Sequence, residues 1–543
     1  MIFLIFPVLF LVLFLIFPVL NTFYLSLINK NTSSLTLNNY STVLGDSLNR
    51  YFLYWTIQQA LITTLICIVI GLGGSYILAT FNLPAKNLIR NVLTVPFLLP
   101  SIAVLMGFLV IYPLKIIFSY PGIILANLFY NLPLMIRLTE IGWSSIDPEF
   151  EVVAKSLKMS KLSYFFRVQL PHLFPMLLTA SLLTFIYCFN SFAIVLVLGG
   201  IQYQTIEVRI YSLFFTSFDY NQASALAIIQ LVINIIVIVS YVYFSSKYES
   251  KLDTLDQKVE TLIKSGKKSV QNKIFSWIIL AIYSIIIGIV CVLPLLGVFY
   301  KSLIGKNGSF SLIAYENLFN SQIKKFIGLS AQEMIFNSLF YAICVLVLSI
   351  LLALLLNFGL NYKTTKTGNP IIELKYLTNV IVILPLVVSA ITLIYSIYSL
   401  YGRTVLFSQV SFIIIIAQVL LAFPFANRII ATARANINED MLHVGRSLGM
   451  GRIQVFLRIE LPILLPSILV AGLFSFAISL GEFASTNFVA RNDSVTIPIG
   501  IYRLISTRHL PEAAAFSSIL ILITLLMFLL IERLGKGSFD YKL

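Results

Sequence analysis

Twelve apolar runs occupy most of this chain, and each is long enough to cross a lipid bilayer as a helix. They lie near residues 1–28, 52–81, 92–117, 121–139, 173–199, 222–246, 274–300, 335–361, 376–401, 410–430, 464–489 and 513–533. A hydrocarbon layer of ~30 Å needs about 20 helical residues at a rise of ~1.5 Å each. The runs are continuously apolar, without the two-residue alternation of a membrane barrel. Only 11% of the 543 residues are charged, against about 25% in soluble domains. A soluble body of this size would lack the polar side chains to cover itself, so lipid covers much of it. A cytosolic enzyme is excluded, and the expected class is an all-α polytopic protein of the cell membrane. Residues 1–28 read as a first span and not as a signal peptide: the run is long, has no basic leader, and contains Pro7 and Pro18.

Charge placement orients the spans, because Lys and Arg are retained on the cytoplasmic side. With the N-terminus inside, the segments 82–91, 137–172, 247–273, 361–375, 428–463 and 533–543 face the cytosol and hold 25 of the 37 basic residues. The net charge of +15 does not indicate nucleic acid, since the basic residues are scattered between apolar runs. Residues 247–273, rich in Lys, divide the spans six and six and read as a solvated, partly helical linker. Residues 1–246 and 274–543 are then two units.

These units are copies of one another. At a shift of 291 residues, Ser156–Leu157 falls on Ser447–Leu448, Met159 on Met450, Arg167 on Arg458, and Leu170–Pro171 on Leu461–Pro462. The same shift carries Pro133 and Arg137 onto Pro424 and Arg428, Phe192 onto Phe483, Thr205–Ile206 onto Thr496–Ile497, and Tyr211 onto Tyr502. Six spans per copy give both the same orientation, hence a pseudo-two-fold axis along the membrane normal and a pathway between the copies. Parallel duplication also occurs in ion-coupled carriers, so the repeat does not by itself name the energy source.

The cytoplasmic stretches of the repeat, 140–172 and 431–463, are more specific. Acidic residues (Asp147, Glu149, Glu151; Glu439, Asp440) precede a short amphipathic run, as the positive end of a helix dipole favours. In the second copy Gly449 and Gly451 end that run, and a further amphipathic stretch leads into Leu461–Pro462. Two short helices joined by a turn, lying parallel to the membrane, would expose an apolar and basic ridge suited to docking.

This spacing resembles the EAA loop of binding-protein-dependent ABC importer permeases. The triplet stands here as Val152-Val153-Ala154 and His443-Val444-Gly445, and the glycine after it is Gly449 in the second copy but Lys158 in the first. The resemblance implies coupling to a cytosolic ATPase through Ala154, Ser156, Leu157, Lys158, Arg167 and Pro171, and through Gly445, Ser447, Leu448, Gly449, Arg458 and Pro462. It also implies two ATPase copies that carry the ATP and Mg, an extracytoplasmic substrate-binding protein, and no cofactor in this chain. Lys158 in place of Gly predicts stiffer or weaker coupling through the first copy. Residues 129–133, 190–231 and 479–505 are similar to fused permeases of the thiamine and iron(III) importers, which implies thiamine, a phosphorylated thiamine, or iron(III) as cargo.

An acidic residue near a span is a functional candidate. Glu482 lies ~24 Å along an ideal helix from Pro466, at the repeat position of Ser191; it would attract a cation, or else pair with Arg491 or Arg503 or be solvated. Asn190 and Gly481 are repeat mates that would line the path or serve helix packing. Gly71, Ser75 and Ala79 read as a packing face, Cys67, Cys188, Cys291 and Cys344 as core residues, and Lys115 and Arg403 as outer charges. No phosphate-binding G-x-x-x-x-G-K-[ST] occurs, and no catalytic or metal-ligating set is found. An ion-coupled carrier would need several ionisable residues at mid-membrane, and a membrane enzyme catalytic groups at a span end.

Overall fold

The computed structural model describes the chain apart from residues 1, 30–33, 82–85, 148, 264–273, 306–307, 321–322, 361–381, 383, 386, 403, 405–408, 492 and 536–543. The first half contains α1 (Phe3–Ser26), α2 (Ser47–Thr80), α3 (Lys86–Leu98), α4 (Ser101–Ile111) and α5 (Tyr120–Ser144). It continues with α6 (Glu149–Ser156), α7 (Lys161–Phe189), α8 (Ala193–Leu198), α9 (Ile206–Phe215) and α10 (Tyr220–Ile263). The second half repeats the order as α11 (Ala281–Leu303), α12 (Ala331–Leu360), α13 (Ala390–Tyr401), α14 (Val410–Ala435) and α15 (Glu439–Ser447). It ends with α16 (Arg452–Gly481), α17 (Ala484–Val489), α18 (Ile497–Ser506) and α19 (Leu510–Gly535).

Among the described residues ten helices are long and apolar enough to span a membrane, or eleven if a bent pair counts as one. That pair is the 92–117 run, which is not one straight crossing: its arms, Val92–Leu98 and Ser101–Ile111, meet at 112°. Pro100 has no N–H to continue the helix and disfavours helical backbone at Leu99, so the chain turns there. Of the 376–401 run, α13 is helical, and most of the segment before it lies outside the described residues. The linker 247–273 begins inside α10, which runs on to Ile263; residues 264–273 lie outside the described residues. Arg403 does as well.

The halves are intertwined. α4 of the first half packs on α11 and α19 of the second. At the α4–α11 crossing the backbones meet: a Cβ on Gly107 would run into the Pro294 carbonyl, and one on Gly297 would lie 3.1 Å from the Gly107 carbonyl. Conversely, α1 packs on α12 and α13, with Thr22 Oγ1 donating to Ser396 Oγ at 2.8 Å and the Tyr401 hydroxyl to the Leu13 carbonyl at 2.8 Å. Phe192 stacks on its own repeat mate Phe483, ring centroids 6.1 Å apart and planes at 28°. A residue that touches its own copy lies on the pseudo-two-fold axis.

Within each half small residues permit close packing. Gly71 lies against Met135, and Ser75 Oγ accepts from Trp143 Nε1 at 3.1 Å, joining α2 to α5. The four cysteines are free thiols; Cys67, Cys188 and Cys291 are buried.

Candidate coupling loops and translocation site

Both cytoplasmic loops fold alike, for reasons legible in their residues. Asp147 and Asn438, repeat mates, open the helices: Asp147 Oδ1 accepts from the Glu149 N–H and Asn438 Oδ1 from the Asp440 N–H, each at 2.9 Å. Such side-chain acceptors satisfy amides that the first helical turn leaves unpaired. α6 and α15 end in one and the same motif. The Lys158 N–H donates to the Lys155 carbonyl and Met159 N–H to Ala154, both at 3.0 Å. Gly449 N–H likewise donates to Arg446 at 3.0 Å and Met450 N–H to Gly445 at 3.2 Å. These pairs define a Schellman ending, which places the intervening residue in left-handed backbone. Gly449 has φ +79° and Lys158 φ +51°, so the first copy keeps the geometry with a residue that resists it.

Beyond the turn the structure departs from expectation. The second amphipathic stretch is not a separate short helix: Lys161 and Arg452 begin α7 and α16, which continue into the membrane spans. Each passes through a single π turn, Phe165–Gln169 and Phe456–Glu460, just before Leu170–Pro171 and Leu461–Pro462. A proline cannot donate to the carbonyl four residues back, and the wider turn carries the helix through that gap without ending it. Force applied at the turn therefore reaches the span through unbroken helix.

The ridge itself is duplicated. Val153 and Leu157 are 54% and 69% exposed, their mates Val444 and Leu448 58% and 73%. Phe150 and Met441 extend the same face by one turn. Ala154 and Gly445 point inward, where Gly445 fits against Ile459 and Val455. Ser156, Ser447, Arg167, Arg458, Pro171 and Pro462 lie at the surface to differing degrees. Between α15 and α16 lies a groove of ≈ 550 Å³ lined by Asp440, Met441, Val444, Arg458, Ile459 and Pro462 among others.

At the other end of α7 and α16 the halves close on each other. Phe192 packs on Tyr211 at 5.5 Å and Phe483 on Tyr502 at 5.3 Å, one aromatic pair from each copy flanking the central stack. Phe214 and Phe488 add a further contact between halves at 4.7 Å. Phe192 and Phe483 are 3% and 2% exposed, so the two rings close against each other and their surroundings at this level.

The four residues singled out for the path all lie here. Asn190 Oδ1 accepts from Gln230 Nε2 at 2.9 Å and from Asn234 Nδ2 at 3.2 Å. Ser191 is buried, and its hydroxyl has no hydrogen-bond partner among the described residues. Gly481 sits against Pro100, at the bend between α3 and α4, with room for ordinary contact at 3.5 Å. Glu482 Oε1 accepts the Ser485 N–H at 2.8 Å and so caps α17; no ion pair to Arg491 or Arg503 forms, and Arg503 donates to the Ile327 carbonyl at 2.6 Å instead. Lys115 is exposed.

Glu207, 1% exposed, was missed by sequence reasoning. It lies between two long apolar runs, in a segment that reads as a loop but folds as α9 and tucks into the interface. Its signal was an acidic residue within the apolar stretch 205–215, where the second copy has Pro498.

The description "Binding-protein-dependent transport system inner membrane component" matches twice, over residues 71–250 and 347–538. The thiamine transport system permease protein ThiP of Haemophilus influenzae is 25% identical over 508 residues, 90% of this chain and 89% of that protein. ThiP of Escherichia coli is 23% identical over 522 residues, 92% of this chain and 91% of that protein. The Fe(3+)-transport system permease protein FbpB 2 of Haemophilus influenzae is 25% identical over 488 residues, 86% and 88% of the two chains.

Proposed function

Because the chain belongs to the family of binding-protein-dependent transport system inner membrane components, we propose that it is the fused permease of an ATP-driven importer of thiamine or a phosphorylated thiamine. It is a multi-pass inner membrane protein and a transport subunit, not an enzyme. Two cytosolic ATPase subunits, which hold the ATP and Mg, dock on α6 and α15, and an external binding protein delivers the solute to the outer mouth. The observation that carries this reading is the duplicated ridge: repeat-related apolar residues remain exposed on a cytoplasmic helix, as a docking surface requires. Each ridge helix leads through one tight turn into a helix that ends beside the aromatic closure, so a push at the ridge acts on Phe192 and Phe483. The path residues Asn190, Ser191, Gly481 and Glu482 stand at that closure. Thiamine as cargo is supported by the names and near full-length coverage of the relatives.

Iron(III) is the second reading, favoured by the similarity to FbpB 2 over most of both chains. Proteoliposomes containing the permease with its ATPase and binding protein test all of these together. ATP-dependent uptake of labelled thiamine without uptake of iron(III) is expected; the reverse selects iron, and thiamine uptake by the permease alone, without nucleotide, overturns the importer assignment.

A further inference from the structure

Glu207 is the second residue of α9, and its carboxylate faces a cluster of amides and hydroxyls drawn from both halves. Gln230 Nε2 of α10 donates to Glu207 Oε1 at 3.1 Å and also to Asn190 Oδ1. Thr392 Oγ1 of α13 donates to Gln230 Oε1 at 3.3 Å, and Asn234 Nδ2 donates to the Val387 carbonyl at 3.0 Å. Nothing in this set carries a positive charge. Arg209, two residues along, points elsewhere: its Nε donates to Asn49 Oδ1 at 2.8 Å and its Nη2 lies 3.7 Å from Asp46. Among the described residues no Lys, Arg or His forms an ion pair with Glu207.

The cluster also has acceptors to spare. Asn234 Oδ1 and Ser191 Oγ, on residues only 1% and 7% exposed, have no hydrogen-bond partner among the described residues. Buried polar atoms are nearly always paired, so unpaired ones in the same region as a carboxylate that has no counter-charge point to a missing partner. Glu482 from the other half lies near enough to act on Glu207 electrostatically, but its own carboxylate is committed to the amide that opens α17. Aromatic rings adjoin the cluster along the chain: Phe192 is next to Ser191, and Tyr211 is one helical turn from Glu207 on the same face of α9.

We propose that Glu207, with Asn234 and Ser191, forms the transit site at which the solute's positive charge is recognised, and that the site selects an organic cation carrying N–H or O–H donors. The carboxylate supplies the counter-charge, and the unpaired oxygens accept the donors. A metal ion held by several carboxylate, imidazole or thiolate ligands fits poorly, because no group of three or more His, Cys, Asp or Glu converges among the described residues. This site rests on the reading of the chain as a permease and deepens it by assigning the charge recognition to Glu207.

The test uses the complete transporter in proteoliposomes, with labelled thiamine as the probe. Glu207→Gln is expected to lower thiamine uptake at least tenfold while binding-protein-stimulated ATP hydrolysis and complex assembly persist, and Glu207→Asp to restore most of the uptake. Uptake by Glu207→Gln equal to that of the unmodified transporter refutes the site but leaves the permease reading intact. Failure of the unmodified transporter to take up thiamine refutes the cargo itself. Should Glu207→Gln not assemble, Ser191→Ala decides the matter, since it removes a hydroxyl with no hydrogen-bond partner among the described residues: a several-fold higher KM for thiamine at unchanged kcat supports the site, and an unchanged KM refutes it.

Discussion

Lys158→Gly isolates the cost of the first coupling turn. Lys158 holds φ +51° at the position where Gly449 holds φ +79°, and identical backbone hydrogen bonds surround both. Left-handed backbone costs a residue with a Cβ about 1–2 kcal/mol. Glycine removes that strain but adds about 0.4–1 kcal/mol of unfolded-chain entropy. The net stabilisation of the turn is therefore about 0.5–1 kcal/mol, or roughly a two- to fivefold shift in its opening equilibrium. Hydrogen exchange on the detergent-solubilised protein reads this at the Met159 amide, which is bonded to the Ala154 carbonyl, and its exchange should slow by that factor. Gly449→Ala is the mirror experiment. A Cβ built on Gly449 meets nothing within 4 Å, so no steric clash adds to the same strain and entropy terms, and exchange at Met450 should quicken by a similar factor. If the Met159 amide exchanges no more slowly in Lys158→Gly, and Met450 no faster in Gly449→Ala, the two turns do not share the conformational cost argued here.

Leu448→Asp combined with Leu157→Asp should abolish co-purification of the ATPase while shifting the permease's own stability by less than about 0.5 kcal/mol per site, because both side chains are exposed; undiminished co-purification would move the docking ridge elsewhere. Arg434→Met leaves Glu460 buried without its partner, the two side chains being 9% and 6% exposed, and should cost about 3–5 kcal/mol. Adding Glu460→Gln should restore part of that loss in a thermal denaturation series, and strictly additive losses would contradict the pairing. Gly107→Ala places a methyl group on the Pro294 carbonyl where the halves cross. It should cost about 1–3 kcal/mol, seen as a lower Tm of the whole chain, and an unchanged Tm would show that the crossing yields freely.

Much of this architecture was legible because hydrophobic runs and a gapless repeat leave direct traces in sequence. The 291-residue shift identified Phe192 and Phe483 as mates, and the structure stacks them. Upstream the repeat continues at a different shift. Ser26 bonds to the Tyr40 hydroxyl at 2.7 Å and Ser302 to that of Tyr315 at 3.1 Å, while the π turns Val12–Ile16 and Gly288–Val292 precede Pro18 and Pro294. Those pairs are 275 or 276 residues apart, so one sliding alignment could not find both registers. The bend at Pro100 was hidden for another reason: hydropathy records burial in lipid or protein but not direction, and residues on both sides of the bend are equally apolar. Glu207 was hidden by context, since α9 has ten residues and is too short to register as a span. Its burial comes from tertiary packing between halves, which no local window contains.

Identical turns do not make the two coupling loops mechanically equivalent. At matched positions the first half carries Trp143 and Gln169 where the second carries Arg434 and Glu460. Trp143 stacks on Phe165 at 6.4 Å and meets Tyr76 edge-to-face at 5.0 Å, so the π turn of α7 is held to α5 and α2 by aromatic packing. In the second half Arg434 pairs with Glu460 inside the π turn of α16 and donates to the Asn357 carbonyl, and Arg452 donates to the Phe358 carbonyl while lying 4.6 Å over its ring. Both guanidinium groups thus engage carbonyls at the C-terminal end of α12, where helix-dipole charge is negative. Aromatic packing tolerates sliding and re-stacking, whereas a buried ion pair with fixed donors strongly resists separation. The same displacement of α6 and α15 should therefore be absorbed partly at Trp143 and transmitted more fully through Glu460. That places the firmer lever in the half whose turn has glycine, and the more compliant attachment in the half whose turn is strained by Lys158.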